Sequence, residues 1–176
     1  KAPDSLSVGH GGNGTGMHLS AALLAQMADI RWTDVAYKGT GPATTDVLGG
    51  QIPLAISDMP ASLQLIQAGR LKALAVTSTQ RLPALPGVPT ASEAGVPGYE
   101  SVGWFGLVAP TQTPAAIVTK IHAGLQAALS DPELQARIRA LGVEPSPSTP
   151  EAFGTINQSE NKKLAGVIKT ANIRAN

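Results

Sequence analysis

The run Val8-Gly9-His10-Gly11-Gly12-Asn13-Gly14-Thr15-Gly16-Met17-His18 joins a strand-like segment, Ser5 to His10, to an apolar helical pattern carried by Leu19, Leu23, Leu24 and Met27. A glycine-rich connection from strand to helix demands a β-α unit. It also aims several backbone N–H groups at one point, where the helix N-terminus adds its partial positive charge. Such a turn holds an anion without using a lysine or arginine. The plain alternative is a sharp turn that needs glycines for its backbone angles.

The unit repeats along the chain. Met17 to Ala28 has helical spacing, and Arg31 to Tyr37 is a second strand. Lys38-Gly39-Thr40-Gly41 turns the chain into a helix that starts at Pro42, reaches Leu48 and stops at Gly49-Gly50. Gln51 to Ser57 is a nearly all-apolar third strand, as expected where both faces are covered. Asp58-Met59-Pro60 opens a helix to Ala68 that Gly69 closes, and Leu71 to Ser78 is a fourth strand. Short alternating β-α units predict an α/β fold, a parallel sheet flanked by helices.

The rhythm then breaks. Arg81 to Gly98 carries prolines at 83, 86, 89 and 97 and is irregular, with one helical turn at Ser92-Glu93-Ala94. Tyr99 to Pro110 reads as extended. Three helices follow: Pro114 to Leu129, Pro132 to Leu141 and Pro150 to Ala171. Thr113-Pro114 and Asp131-Pro132 are start signals, and Thr149-Pro150-Glu151 leads the third. The apolar faces Ile117, Ile121, Leu125, Leu129 and Leu134, Ile138, Leu141 need a partner surface that a strandless tail does not provide.

Composition removes several function classes. Thirteen Lys+Arg against twelve Asp+Glu leave a net charge of +1, with two each of Trp, Tyr and Phe. There is no basic block and little to stack on bases, which argues against nucleic acid. The chain has no cysteine, so disulfides, thiolate metal sites and a cysteine nucleophile are excluded. No apolar run is long enough to read as a membrane span. Lys1-Ala2-Pro3-Asp4 leads straight into folded-looking sequence, without the pattern of a signal peptide.

The glycine loop admits more than one reading. Gly9-x-Gly11-x-x-Gly14 matches the dinucleotide fingerprint formally, but an acid should close the second strand, and Lys38 stands there while Asp29 and Asp34 fall short. A phosphate loop needs Gly-Lys-Ser/Thr, and Gly16 is followed by Met17. A carboxylate fits best: Asn13, Gly14, Thr15 and Gly16 offer backbone donors and Thr15 a hydroxyl. Two further loops reach the same sheet edge. Lys38 in Lys38-Gly39 could contact a carboxylate or be a solvated turn residue. Asp58 in Ser57-Asp58 could accept from a ligand or cap the next helix. His10 and His18 lack a third metal ligand in the sequence pattern, so no metal and no cofactor is expected. There is no Gly-x-Ser-x-Gly elbow and no carboxylate pair, so no catalytic residue is assigned.

Taken together, Gly-x-Gly-Asn-Gly-Thr with His18, Tyr37-Lys38-Gly39-x-x-Pro42, Asp46-Val47-Leu48-Gly49-Gly50-Gln51 and Gly69 to Thr77 resemble the Bug family, the TctC-like substrate receptors of tripartite tricarboxylate transporters. The likeness continues through Leu85-Pro86-x-Val88-Pro89-Thr90, Glu93-Ala94-Gly95, Trp104-Phe105-Gly106-Leu107-x-Ala109-Pro110 and Leu141-Gly142. It implies a non-enzymatic periplasmic solute-binding protein with two α/β lobes, a small organic carboxylate as ligand and membrane transporter subunits as partners. It places Gly12, Asn13, Gly14 and Thr15 with His18 at the ligand, flanked by Lys38, Gly39, Ser57 and Asp58. It also implies that residues 1–103 form the second lobe and 104–176 the C-terminal part of the first, the rest of that lobe lying upstream of Lys1. The tail helices are then expected to expose apolar faces, to be covered by an omitted segment, repacking or homo-oligomerisation. A nucleotide- or dinucleotide-dependent enzyme and a non-binding remnant of the fold are the alternatives.

Overall fold

A computed structural model describes residues 6–174. The expected start of the first strand at Ser5, and the Lys1-Ala2-Pro3-Asp4 lead, lie outside the described residues.

The chain folds as two compact units. One takes the chain up to Gly103 and again from Leu164 onward; the other is Trp104–Lys163. In the first unit β1 (Ser7–His10), α1 (Gly16–Ala28), β2 (Thr33–Ala36), α2 (Thr40–Leu48), β3 (Leu54–Ala55) and α3 (Met59–Gln67) follow one another. The strands form a parallel sheet of order β2-β1-β3, with Val8 opposite both Asp34 and Leu54. β1 is central, and the chain leaves it first toward β2 and then crosses to β3. The open ends of all three strands therefore share one edge, with a topological switch at β1.

Alternation along β1 explains its composition. Val8 and His10 are buried, at 2% and 0% exposure. Gly9 turns the other way, and a Cβ there would stand 2.6 Å from Ile52 Cδ1 and 3.3 Å from Ala43 Cβ. So Gly9 lets α2 and the β3 approach close onto the sheet. Val8, Ala21, Ala43, Ile52 and Leu63 are among the buried apolar residues of this unit. Burying a side chain of valine or leucine size contributes about 1.5–3 kcal/mol.

The expected fourth strand, Leu71 to Ser78, does not form. Its one β pairing is an isolated bridge between Val76 and Thr90, with Val76 N donating to Pro89 O at 2.9 Å. The proline-rich segment takes the place of a neighbouring strand, and its prolines cannot extend a ladder. Thr90 and Glu93 hold that segment as a reciprocal box: Thr90 N donates to Glu93 Oε2 at 2.9 Å and Glu93 N to Thr90 Oγ1 at 3.1 Å. Arg81 Nε adds a bond to Glu93 Oε2 at 2.8 Å. Glu93 is held below the usual carboxylate value by the Thr90 N–H first and the Arg81 bond second. Tyr99, 1% exposed, closes the unit from the far end of this segment, its hydroxyl 2.6 Å from Ser20 Oγ on α1.

The second unit carries α4 (Ala115–Leu129), α5 (Pro132–Ala140) and the start of α6 (Pro150–Thr170). Asp131 caps α5 as expected, accepting from Leu134 N at 2.8 Å. Thr113 does not cap α4: Pro114 holds the N-cap position, without a side-chain bond. Phe153 packs edge-on against Trp104 at 5.0 Å, and its ring occupies the space a side chain at Gly106 would need. Neither α4 nor α5 buries a residue fully. Phe105 and Val108 are 80% and 86% exposed, and Ile117 and Ile121 are each 49% exposed.

Candidate functional site

The three strand-end loops are bonded to one another. Tyr37 N donates to His10 O at 3.0 Å and Gly39 N to Gly11 O at 3.1 Å, which zips the loop after β2 onto the loop after β1. Thr40 Oγ1 donates to Asp58 Oδ2 at 2.7 Å, linking the α2 and α3 starts. Thr44 Oγ1 lies 3.0 Å from Ser57 Oγ beneath that link. The loops that the sequence assigned to one sheet edge thus form one connected polar surface.

The glycine loop is shaped from within. Gly12 and Gly14 have φ of +126° and +73°, which glycine adopts without strain. A Cβ on Gly12 would also stand 3.1 Å from Tyr37 O. Gly14 N donates to His18 Nδ1 at 3.1 Å. Gly12 N lies 3.3 Å from His10 Nδ1, which is also 3.2 Å from Gly12 O. Thr15 caps α1: its hydroxyl donates to Gly12 O at 2.7 Å and accepts a long bond from His18 N at 3.5 Å. Two of the donors expected to face a ligand, the Gly14 N–H and the Thr15 hydroxyl, are therefore engaged inside the loop. The N–H groups of Asn13, Gly16 and Met17 have no protein acceptor among the described residues, and they ring the exposed start of α1.

Other expected residues sort by what they touch. Lys38 is exposed beside this rim. Asp58 accepts Ala61 N at 3.0 Å as the α3 cap and Thr40 Oγ1 with its other oxygen, so its carboxylate works on the loops. Ser57 is bonded to Thr44 and to Asp58 O at 3.3 Å. Sequence reasoning does not single out Thr40 and Thr44. Their signal is a hydroxyl at each of two positions one turn apart, directly after Gly39. Two concavities among the described residues lie elsewhere, one at Thr113, His122 and Glu151, the other at Ala25, Arg31 and Asp34. Asn13, Thr15, Gly16, Lys38 and Gly39 on the rim are exposed.

His10 and His18 do meet a third ligand type, contrary to the sequence pattern: one atom each of His10, His18 and Asp34 lie within 4.8 Å of one another. Their geometry does not suit a metal. The two rings are stacked at 4.2 Å with only 6° between planes. Ring lone pairs lie in plane, so two parallel rings cannot both aim at one ion without a tilt, and His18 Nδ1 is already taken by Gly14. His10 is held below the ordinary imidazole value by burial first and by His18 second, with Asp34 pulling the other way. The dinucleotide test also fails in three dimensions. β2 ends at Ala36 without an acid, and Asp34 sits inside the strand.

This fold has counterparts among solved structures. The structure of R. palustris Rpa4515 with adipate superposes with a TM-score of 0.90 at 37% identity, over 97% of this chain and 57% of that one. MatC (Rpa3494) from Rhodopseudomonas palustris with bound malate gives 0.84 at 33% identity, over 94% and 57%. The architecture is that of a periplasmic binding protein. A UPF0065 protein from the tcbD-tcbE intergenic region of Pseudomonas sp. (strain P51) is 35% identical over 175 residues, 99% of this chain and 52% of that protein. The chain spans about half the length of most curated relatives it matches. The model of the tripartite tricarboxylate transporter family receptor, TctC, matches residues 1–173, and the chain belongs to that family.

Proposed function

We propose that this chain supplies one side of a periplasmic receptor that binds a small organic carboxylate, without chemistry, for a tripartite membrane transporter. The observation that carries the reading is the rim itself: three strand-end loops bonded together, with the N–H groups of Asn13, Gly16 and Met17 at the α1 start unengaged among the described residues. Unengaged N–H groups at a helix N-terminus suit a carboxylate. Adipate and malate in the two related structures support the ligand class. Within the rim, Gly12 to Thr15 and Lys38-Gly39 face the ligand, His18 shapes the loop, and Ser57 and Asp58 brace it from behind. Residues 1–103 correspond in this reading to the second lobe, and 104–176 to part of the first. The exposed faces of α4 and its preceding segment then meet further protein, in a longer chain or a second copy.

Calorimetry and thermal denaturation against adipate, malate and a panel of other carboxylates test this. A ligand at about a hundred times its Kd stabilises by roughly 2.7 kcal/mol and raises Tm accordingly. A panel that neither releases heat nor moves Tm, on a chain shown to be folded, contradicts it.

A further inference from the structure

We infer that His18 is a positioning residue for the glycine loop that works only as a neutral imidazole, so that acid weakens carboxylate binding. This rests on the carboxylate reading above for its consequence, but its structural core stands on the loop.

Gly14 N–H points at His18 Nδ1 across 3.1 Å. A donor there requires a lone pair at Nδ1, which fixes the neutral tautomer with its proton on Nε2. An imidazolium carries N–H at both nitrogens. Protonation would set two N–H groups against each other and release Gly14. Asn13 stands between Gly12 and Gly14, the two positive-φ glycines, so its N–H direction depends on that anchor. His18 is 9% exposed and stacks on His10, which is fully buried, its Nε2 without a partner among the described residues. His10 is held below the ordinary imidazole value by burial first and by the stacked His18 ring 4.2 Å away second. Among the described residues, the titratable groups gathered at the pair are His10 from β1, His18 from α1 and Asp34 from β2. Asp34 favours protonation but is exposed, where water screens it.

The sign is opposite to simple attraction. A cationic imidazole beside a carboxylate site strengthens binding in acid. An imidazole whose lone pair holds the cradle weakens it, by up to about tenfold per pH unit for one coupled proton below its pKa.

Nitrogen-15 NMR of the whole chain without ligand gives the first test. At neutral pH His18 should carry its proton on Nε2, and the Gly14 amide should shift as His18 titrates. A neutral His18 protonated at Nδ1 overturns the inference. Malate and adipate calorimetry between about pH 6 and 8, where carboxylates stay ionised, gives the second. Affinity should rise with pH in the parent. His18→Asn, whose Oδ1 accepts the same N–H and does not titrate, should bind with a flattened profile, and His18→Ala should bind more weakly than His18→Asn. Affinity that rises toward acid overturns the inference. Failure to bind at any pH, with the NMR signature intact, upholds the anchor and instead overturns the carboxylate reading.

Discussion

Thr40 Oγ1 donates to Asp58 Oδ2 at 2.7 Å, and that bond joins the first turn of α2 to the cap of α3. The other Asp58 oxygen caps α3 through Ala61 N, so one carboxylate fixes two helix starts at the edge that carries the glycine loop. Asp58→Ala is expected to destabilise the fold by about 1–2 kcal/mol through the lost cap. Thr40→Val should cost less alone. A double-mutant cycle by chemical denaturation should show a coupling of about 0.5 kcal/mol or more; strict additivity would remove the link from the account of the site.

Tyr99 and Ser20 make the deepest polar contact of the first unit. The phenol lies 2.6 Å from Ser20 Oγ and donates to Ser20 O at 3.0 Å. Tyr99→Phe strands those buried groups and should lower stability by about 1–3 kcal/mol. Burial pushes the Tyr99 hydroxyl up from its ordinary value, so its ionisation in the folded chain should appear at higher pH than that of free tyrosine. An ultraviolet titration reads this directly.

Gly12 combines a φ of +126° with backbone at 3.1 Å from any Cβ. Gly12→Ala should cost on the order of 1–3 kcal/mol of local strain and abolish carboxylate binding at Kd values the parent saturates. Gly16→Ala is the control: it has open space and helical backbone, so the fold should be unchanged.

Glu93 is held below the usual carboxylate value by the Thr90 N–H and Arg81. A depressed folded pKa contributes stability that is complete above the unfolded value and is lost as pH falls through the folded one. Glu93→Gln should therefore lower Tm at neutral pH, and the gap to the parent should close in strong acid. Parallel Tm curves across that range would contradict the assignment.

Much of the first unit is legible in the sequence because local rules and tertiary packing agree there. Asp58 before Met59-Pro60 both reads and serves as a cap, and Gly49-Gly50 does end α2. Leu71 to Ser78 departs from its pattern because apolar content describes burial potential, while a strand also needs a neighbour with free N–H groups. The neighbour here is Pro89-Thr90, which offers one bridge. In the loop, sequence counts donors but does not tell which are engaged internally. That Gly14 N–H goes to His18 depends on a helix turn bringing residue 18 back over residue 14. The clustering of Asp34 with His10 and His18 depends on strand register, which pairs Asp34 with Val8 and sets it on the face of His10.

An amide chemical-shift map of the whole chain titrated with malate or adipate shows directly whether the rim binds a carboxylate. Saturable shifts are expected at Asn13, Gly16 and Met17, with smaller ones at Lys38 and Gly39. Saturable shifts confined to other elements, or none while calorimetry reports binding, would contradict binding at the rim.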